Sequence, residues 1–247
     1  MTYIIFDLEF NQDFSSLQNF VPNVSRYPFE IIQIGAIKLD EQLNTLETFN
    51  TYVKPTFYGA INPFITELTS ITMNQLIREE TFPSVYKNYM DFIQTKEAIF
   101  IIWGMSDIKE LFRNVNYHAL ENDLLPRQFI NIQPYVSKYL GLSAKKLLKL
   151  EDATNQLQIP ILEPFHNALN DAYYTAEIFE KIYTPIIKPT YYDPTYSPQR
   201  PPKPRQKVDF EKLISQFEKM YDREMTEEEK SIIKLAYNMG KTHQFLT

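Results

Sequence analysis

Four carboxylates and one imidazole are spaced so that together they could hold divalent cations against a phosphodiester. Asp7 and Glu9 fall in the run Ile4-Ile5-Phe6-Asp7-Leu8-Glu9-Phe10. Asp107 follows Ile99-Phe100-Ile101-Ile102-Trp103-Gly104, and Asp171 comes five residues after His166. Carboxylates at the ends of buried apolar segments are costly unless something neutralises them. For four together, the usual compensation is a pair of divalent cations, and hydrolysis at a phosphate is the chemistry that suits such a pair. Asp7 and Glu9 are two apart, so on a strand both side chains point to one face. Asp107 and Asp171 each fall at the expected start of a helix, where the helix dipole alone favours an acid. Their company with Asp7 and Glu9 makes them candidate ligands. His166 places an imidazole just before the helix that bears Asp171. This favours a general base acting on a metal-bound water.

These residues need a scaffold that brings three distant segments together. Residues 3 to 9 read as a buried strand, 31 to 39 as a second and 48 to 53 as a third, with the short second connection implying antiparallel pairing. Residues 10 to 29 read as a polar loop dotted with aromatics. Helical patterns follow at 63 to 68, 73 to 78 and 84 to 94. Residues 100 to 103 form another strand, Ser106 opens a helix to about His118, and 129 to 132 form a short fifth strand. Further helices are expected at 134 to 140, at 143 to 153 with Ser143 as cap, and at 170 to 183 with Asn170 as cap. Three strands followed by alternating helices and strands predict an α/β fold, a mixed five-stranded sheet flanked by helices.

The composition changes at Pro185. Seven prolines from Pro185 to Pro204 interrupt every regular pattern, among tyrosines and basic residues. The expected organisation is therefore a domain over 1–187, a proline-rich linker over 188–207 and a helical hairpin over 208–247. In the hairpin, Asp209 reads as one cap, and Thr226 with Glu229 forms a capping box for the second helix, which should close at Gly240. The apolar stripes of these helices call for a protein partner, a second copy or the first domain.

The 247 residues include 44% hydrophobic and 15% aromatic side chains, enough for a substantial core. The chain has no cysteine, which excludes disulfides, thiolate metal sites and a cysteine nucleophile. That fits a reducing cytoplasm. The first residues carry no basic stretch of a signal peptide, and no apolar run is long enough to cross a bilayer, so no membrane role is expected. A net charge of −6 argues against general nucleic-acid binding by charge. A cation-filled acidic site is different, because it can handle a polyanion at one place.

Asp-x-Glu on the first strand, Asp107 after the fourth and His-x4-Asp near the end resemble the DEDDh 3′→5′ exonucleases. That superfamily includes RNase T and the epsilon proofreading subunit of DNA polymerase III. Glu30 to Ala36 is similar to the family's second strand. Thr69-Ser70-Ile71-Thr72 stands where the family often has His-Gly-Ile-Thr, and Trp103-Gly104 resembles the branch acting on histone mRNA and small RNA. The resemblance covers residues 2 to 184 and implies a ribonuclease-H-like fold. It implies that Asp7, Glu9, Asp107 and Asp171 bind two Mg²⁺ or Mn²⁺, that His166 is the general base, and that Phe10 and Ile71 line a terminal-nucleotide pocket. The implied substrate is the 3′ end of single-stranded RNA or DNA, RNA mildly preferred. A DNA proofreading or repair exonuclease, and an interaction module built on the same scaffold, are the rival readings.

Overall fold

The computed structural model describes residues 1–12, 29–143, 145–196 and 209–241, with backbone alone for 238–241. The chain divides into two compact units, Met1–Tyr196 and Ser197–Thr247.

The first unit is built on a mixed six-stranded sheet. Its strands are β1 (Tyr3–Asn11), β2 (Glu30–Leu39), β3 (Thr45–Tyr52), β4 (Ile99–Ile102), β5 (Gln128–Asn131) and β6 (Thr190–Tyr191), in the spatial order β3-β2-β1-β4-β5-β6. β1 lies between an antiparallel neighbour, β2, and a parallel one, β4. The helices are α1 (Pro63–Thr69), α2 (Met73–Leu76), α3 (Phe82–Ile93), α4 (Ser106–Tyr117), α5 (Gln133–Tyr139), α6 (Leu150–Gln156) and α7 (Ala168–Ile182).

The period-two pattern of β1 divides the core. Ile4, Phe6 and Leu8 face a cluster with Val85, Tyr89 and Phe92 of α3 and Ile108 and Leu111 of α4. Tyr3 and Ile5 face a cluster with Ala172, Ala176 and Phe179 of α7. Asp7 and Glu9 continue this second row. A bulge interrupts the β1–β2 ladder after Glu9, where Phe10 pairs with Ile31 rather than Ile32.

The elements differ from the sequence expectation in four places. A sixth strand, β6, pairs with β5 where the linker was expected to have begun. A two-residue edge strand tolerates the preceding Pro189, because an edge need not supply every ladder donor. The helix expected from Ser143 begins only at Leu150, after Lys149 in an extended conformation. Ser143 spends its hydroxyl on a local turn, accepting from Lys145 N at 3.3 Å. The last helix of this unit starts at Ala168, capped by Asn167 and not Asn170. β1 runs on to Asn11, and most of the expected loop after it, 13–28, lies outside the described residues.

The second unit contains α8 (Phe210–Tyr221) and α9 (Glu227–Lys241). Asp209 caps α8 by accepting from Lys212 N at 3.0 Å. Thr226 and Glu229 form the reciprocal capping box, with Thr226 N donating to Glu229 Oε2 at 2.9 Å. α9 runs one residue past Gly240. Phe210 and Tyr237 meet edge to face at 5.5 Å. Residues 197–207 of the expected linker lie outside the described residues.

Candidate active site

β2 supplies the seat that brings the distant residues together. Gly35 is the cross-strand partner of Asp7, and Gln33 that of Glu9. A Cβ on Gly35 would stand 2.1 Å from both Ala168 C and Leu169 N, so the first turn of α7 rests directly on the strand. Gln33, fully buried, accepts from Ala168 N at 3.3 Å and donates from Nε2 to Asn50 Oδ1 at 2.9 Å. The Ala168 amide belongs to the first turn of the helix and has no partner within it. Asn167 adds a cap, accepting from Leu169 N at 3.1 Å. The helix start is thus fixed beside the strand end that carries Asp7 and Glu9.

Asp171 lies in that first turn and is 8% exposed. Its Oδ2 accepts from the backbone amide of His166 at 3.2 Å, whereas its buried Oδ1 has no partner among the described residues. His166 itself is exposed and sits at a φ of 64°, an uncommon conformation for a residue with a Cβ. A ligand atom from each of Glu9, His166 and Asp171 lies within 4.8 Å of the others.

Asp107 arrives from the other side of β1. β4 ends at Ile102, and Gly104 turns the chain at a φ of +89°, with its amide donating to Asn131 Oδ1 at 3.1 Å. That turn opens α4, and Asp107 is buried in its first turn.

The electrostatics show four acids sharing one site. The Asp7 carboxyl is held well above the usual carboxylate range, chiefly by burial and then by the charges of Asp107, Asp171 and Glu9. Glu9 is pushed up to about 8 by burial and then by Asp171 and Asp107. Asp107 rises to about 7, mainly through burial, against the pull of backbone amides. Asp171 rises to about 6 through burial, partly offset by the His166 amide. Without cations, these groups resist shared ionisation. Oxygen-rich and partly unsatisfied, with Asp171 Oδ1 unpartnered among the described residues, the cluster could hold hard divalent cations.

Beside the acids is a cavity of about 540 Å³, lined by Leu68, Trp103, Gln133, Leu147 to Glu151, Phe165, His166 and Asp171. Trp103 has its indole N–H buried with no partner among the described residues. Of this wall, the sequence marked only His166 and Asp171 as site residues. The rest joins it through long-range packing, and a Trp-Gly pair beside the acidic motif was the one available signal. Ile71, expected as a pocket wall, is instead 2% exposed in a small cluster with Ile32, Ile61, Ile65 and Leu76. The αL turn at Ser70 directs the chain so that Ile71 packs inward, leaving it almost no surface for a ligand. Phe10 is half-buried, on the opposite sheet face from Asp7 and Glu9, and packs against the α3–α4 cluster with its ring 6.1 Å from Phe29.

Comparison with known proteins agrees with this architecture. The RNase T exonuclease family matches residues 4–179. A PolC-type DNA polymerase III of Clostridium perfringens is 30% identical over 189 residues, covering 72% of this chain and 11% of the polymerase. The human 3′-5′ exoribonuclease 1 is 28% identical over 93 residues, covering 38% of this chain and 25% of that protein. The chain thus spans a small part of these relatives' length. Among solved structures, the nuclease domain of 3′hExo, a DEDDh family member bound to rAMP, superposes with a TM-score of 0.61 at 24% identity, covering 73% of this chain and 90% of that one. Escherichia coli Exonuclease I in complex with a dA16 oligonucleotide gives 0.55 at 16% identity, over 72% of this chain and 40% of that one. These likenesses establish the ribonuclease-H-like exonuclease fold.

Proposed function

The chain belongs to the RNase T exonuclease family, and from that premise we propose that it hydrolyses single-stranded nucleic acid from the 3′ end, releasing nucleoside 5′-monophosphates. The observation that carries this reading is the acidic cluster: burial raises the pKa values of Asp7, Glu9, Asp107 and Asp171, neighbouring acids add to the rise at Asp7, Glu9 and Asp107, and His166 is at the cluster's edge. Those four residues would hold two Mg²⁺ or Mn²⁺. Bound there, the cations would neutralise phosphate charge and make water acidic enough to attack.

The chain's own groups have separate tasks. The imidazole of His166 accepts a proton from the attacking water, so it works in its neutral form. Its exposure lets it pass that proton on to solvent. Asp171 Oδ2 holds the His166 backbone in its left-handed conformation and thereby sets where the ring stands. The seat formed by Gly35 and Gln33 keeps His166 and Asp171 in register with Asp7 and Glu9. The walled cavity beside the acids excludes bulk water from one side and accepts the terminal nucleotide.

RNA is favoured over DNA on the Trp103-Gly104 resemblance and on the likeness to exoribonuclease 1. The test is hydrolysis of labelled single-stranded RNA and DNA of equal sequence, with Mg²⁺, Mn²⁺ or EDTA. Shortening from the 3′ end with either cation, faster on RNA and absent in EDTA, is expected. Activity persisting in excess EDTA would falsify the two-cation reading.

A further inference from the structure

Between Asp123 and Glu151 the sequence has no acidic residue and five cations, Arg127, Lys138, Lys145, Lys146 and Lys149, in a chain of net charge −6. The fold carries the last part of this stretch to the cleft. After α5 the chain turns at Gly141, at a φ of +72°, and runs as a connector to α6. Two α5 side chains pin that connector. The Ser137 hydroxyl donates to the Lys146 carbonyl at 2.6 Å, and Gln133 Nε2 donates to the Leu148 carbonyl at 2.7 Å. Gln133 is tied in turn to the loop that delivers Asp107, because its amide and that of Gly104 share Asn131 Oδ1, each at 3.1 Å.

A pinned backbone presents its side chains at a fixed place. Lys145, Lys146, Leu147 and Lys149 are exposed, and Leu148 is buried beneath them. Leu147 and Lys149 line the same cavity as His166 and Asp171. Among the described residues, none of the three ammonium groups is in an ion pair. The cleft therefore has an acidic floor, which repels a polyanion until cations cover it, and beside that floor an unpaired basic connector.

We propose that the connector from Lys145 to Lys149 is a ledge that binds backbone phosphates of the single strand on the 5′ side of the terminal nucleotide. This rests on the reading of the cleft as a 3′ exonuclease site. The ledge gives an acidic protein a local hold on a polyanion, and exposed Leu147 offers an apolar surface to a base. Binding there is by charge and carries no sequence preference.

The test is salt-dependent binding of a fluorescent phosphorothioate 20-mer, which keeps the charge of a natural strand and resists hydrolysis, to the full-length protein in Mg²⁺. Each phosphate engaged contributes about 0.7 to the slope of log Kd against log salt for a single strand. Lys145→Gln/Lys146→Gln/Lys149→Gln should make that slope shallower by about 2. Between 50 and 200 mM salt, the unaltered protein should then weaken about 15-fold more than the variant does. Arg at the same three positions should restore the slope. Lys87→Gln/Lys96→Gln/Lys188→Gln, with the same change in net charge elsewhere, should leave it intact. An unchanged slope in the first variant, or an equal loss in the third, overturns the ledge. Hydrolysis of an unmodified strand by the unaltered protein is scored separately. If that hydrolysis is absent, the exonuclease reading falls whatever the slopes show. If hydrolysis is present and the slope is unmoved, only the ledge falls.

Discussion

Glu9 and Glu30 stand on neighbouring strands near the same end of the sheet, are 8% and 3% exposed, and are both raised in pKa by burial. Their surroundings differ. Glu30 accepts backbone amides from Thr56, from Phe57 at 2.6 Å and from Tyr58 at 3.1 Å, and these pull its pKa back down. Glu9 has no hydrogen bond among the described residues, and the charges facing it are those of Asp171 and Asp107. One carboxylate holds a loop and is finished as it stands. The other faces further acids, a setting that a bound cation would relieve. Burial therefore does not distinguish a working acid from a structural one; the nature of its partners does.

The comparison breaks most visibly in activity. Asp7→Asn or Glu9→Gln should bring hydrolysis to background, a loss of about 10³-fold or more, the scale for removing a principal electrostatic group. The same change should raise the melting temperature in EDTA by relieving repulsion. Glu30→Gln should do the reverse, leaving turnover near normal and costing about 2 kcal/mol in thermal or urea unfolding. If Glu30→Gln abolishes turnover in a folded protein, the two acids do not differ as described.

His166→Ala should lower kcat by about 10²–10⁴-fold in single-turnover assays while metal-dependent stabilisation persists. A normal rate would make this histidine structural. Gln33→Met leaves the buried Ala168 amide without its partner, so a loss of about 10–100-fold in Mg²⁺ affinity is expected, alongside lower stability. Gln33→Glu keeps the acceptor for Ala168 N and should recover part of the affinity, as isothermal titration can show.

The smallest effect is in pH. Folded-state values of about 8 for Glu9, 7 for Asp107 and 6 for Asp171 lie above the ordinary ones, so the folded cluster holds protons that the unfolded chain releases. Their contribution to stability is full below about pH 4 and is lost as pH rises through 6 to 8. In EDTA the melting temperature should fall across that window by a few degrees. In saturating Mg²⁺ the fall should flatten, because cation binding displaces the same protons. A melting curve without that difference would mean the cations bind elsewhere.

The sequence made Asp7 and Glu9 legible because strand periodicity is a local property. Two acids separated by one residue in an apolar run must share a face. Asp107 and Asp171 were legible only by their order along the chain. What brings them to the pair, the contact of Gly35 with Ala168 for Asp171 and the parallel pairing of β4 with β1 for Asp107, spans too many residues for any periodicity to report. Asn167 displaced Asn170 as the helix cap because its side chain reaches Leu169 N, a choice between two neighbouring asparagines that composition cannot make. Ile71 went to the core because of one left-handed turn at Ser70. β6 was hidden by the prolines around it, though a two-residue edge pairing needs little from its sequence.

The first turn of α7 carries Asp171, while its inner face, with Tyr174, Phe179 and Ile182, fills one of the two main cores. One rod thus belongs to both the acidic cluster and the interior. Any charge the bare carboxylates take up would strain the seat of the rod's tip on Gly35, and bound cations would relieve that load. Hydrogen exchange at Ala168 and Leu169 would then read cation occupancy without any substrate, as a slowing of the rate at which that tip opens.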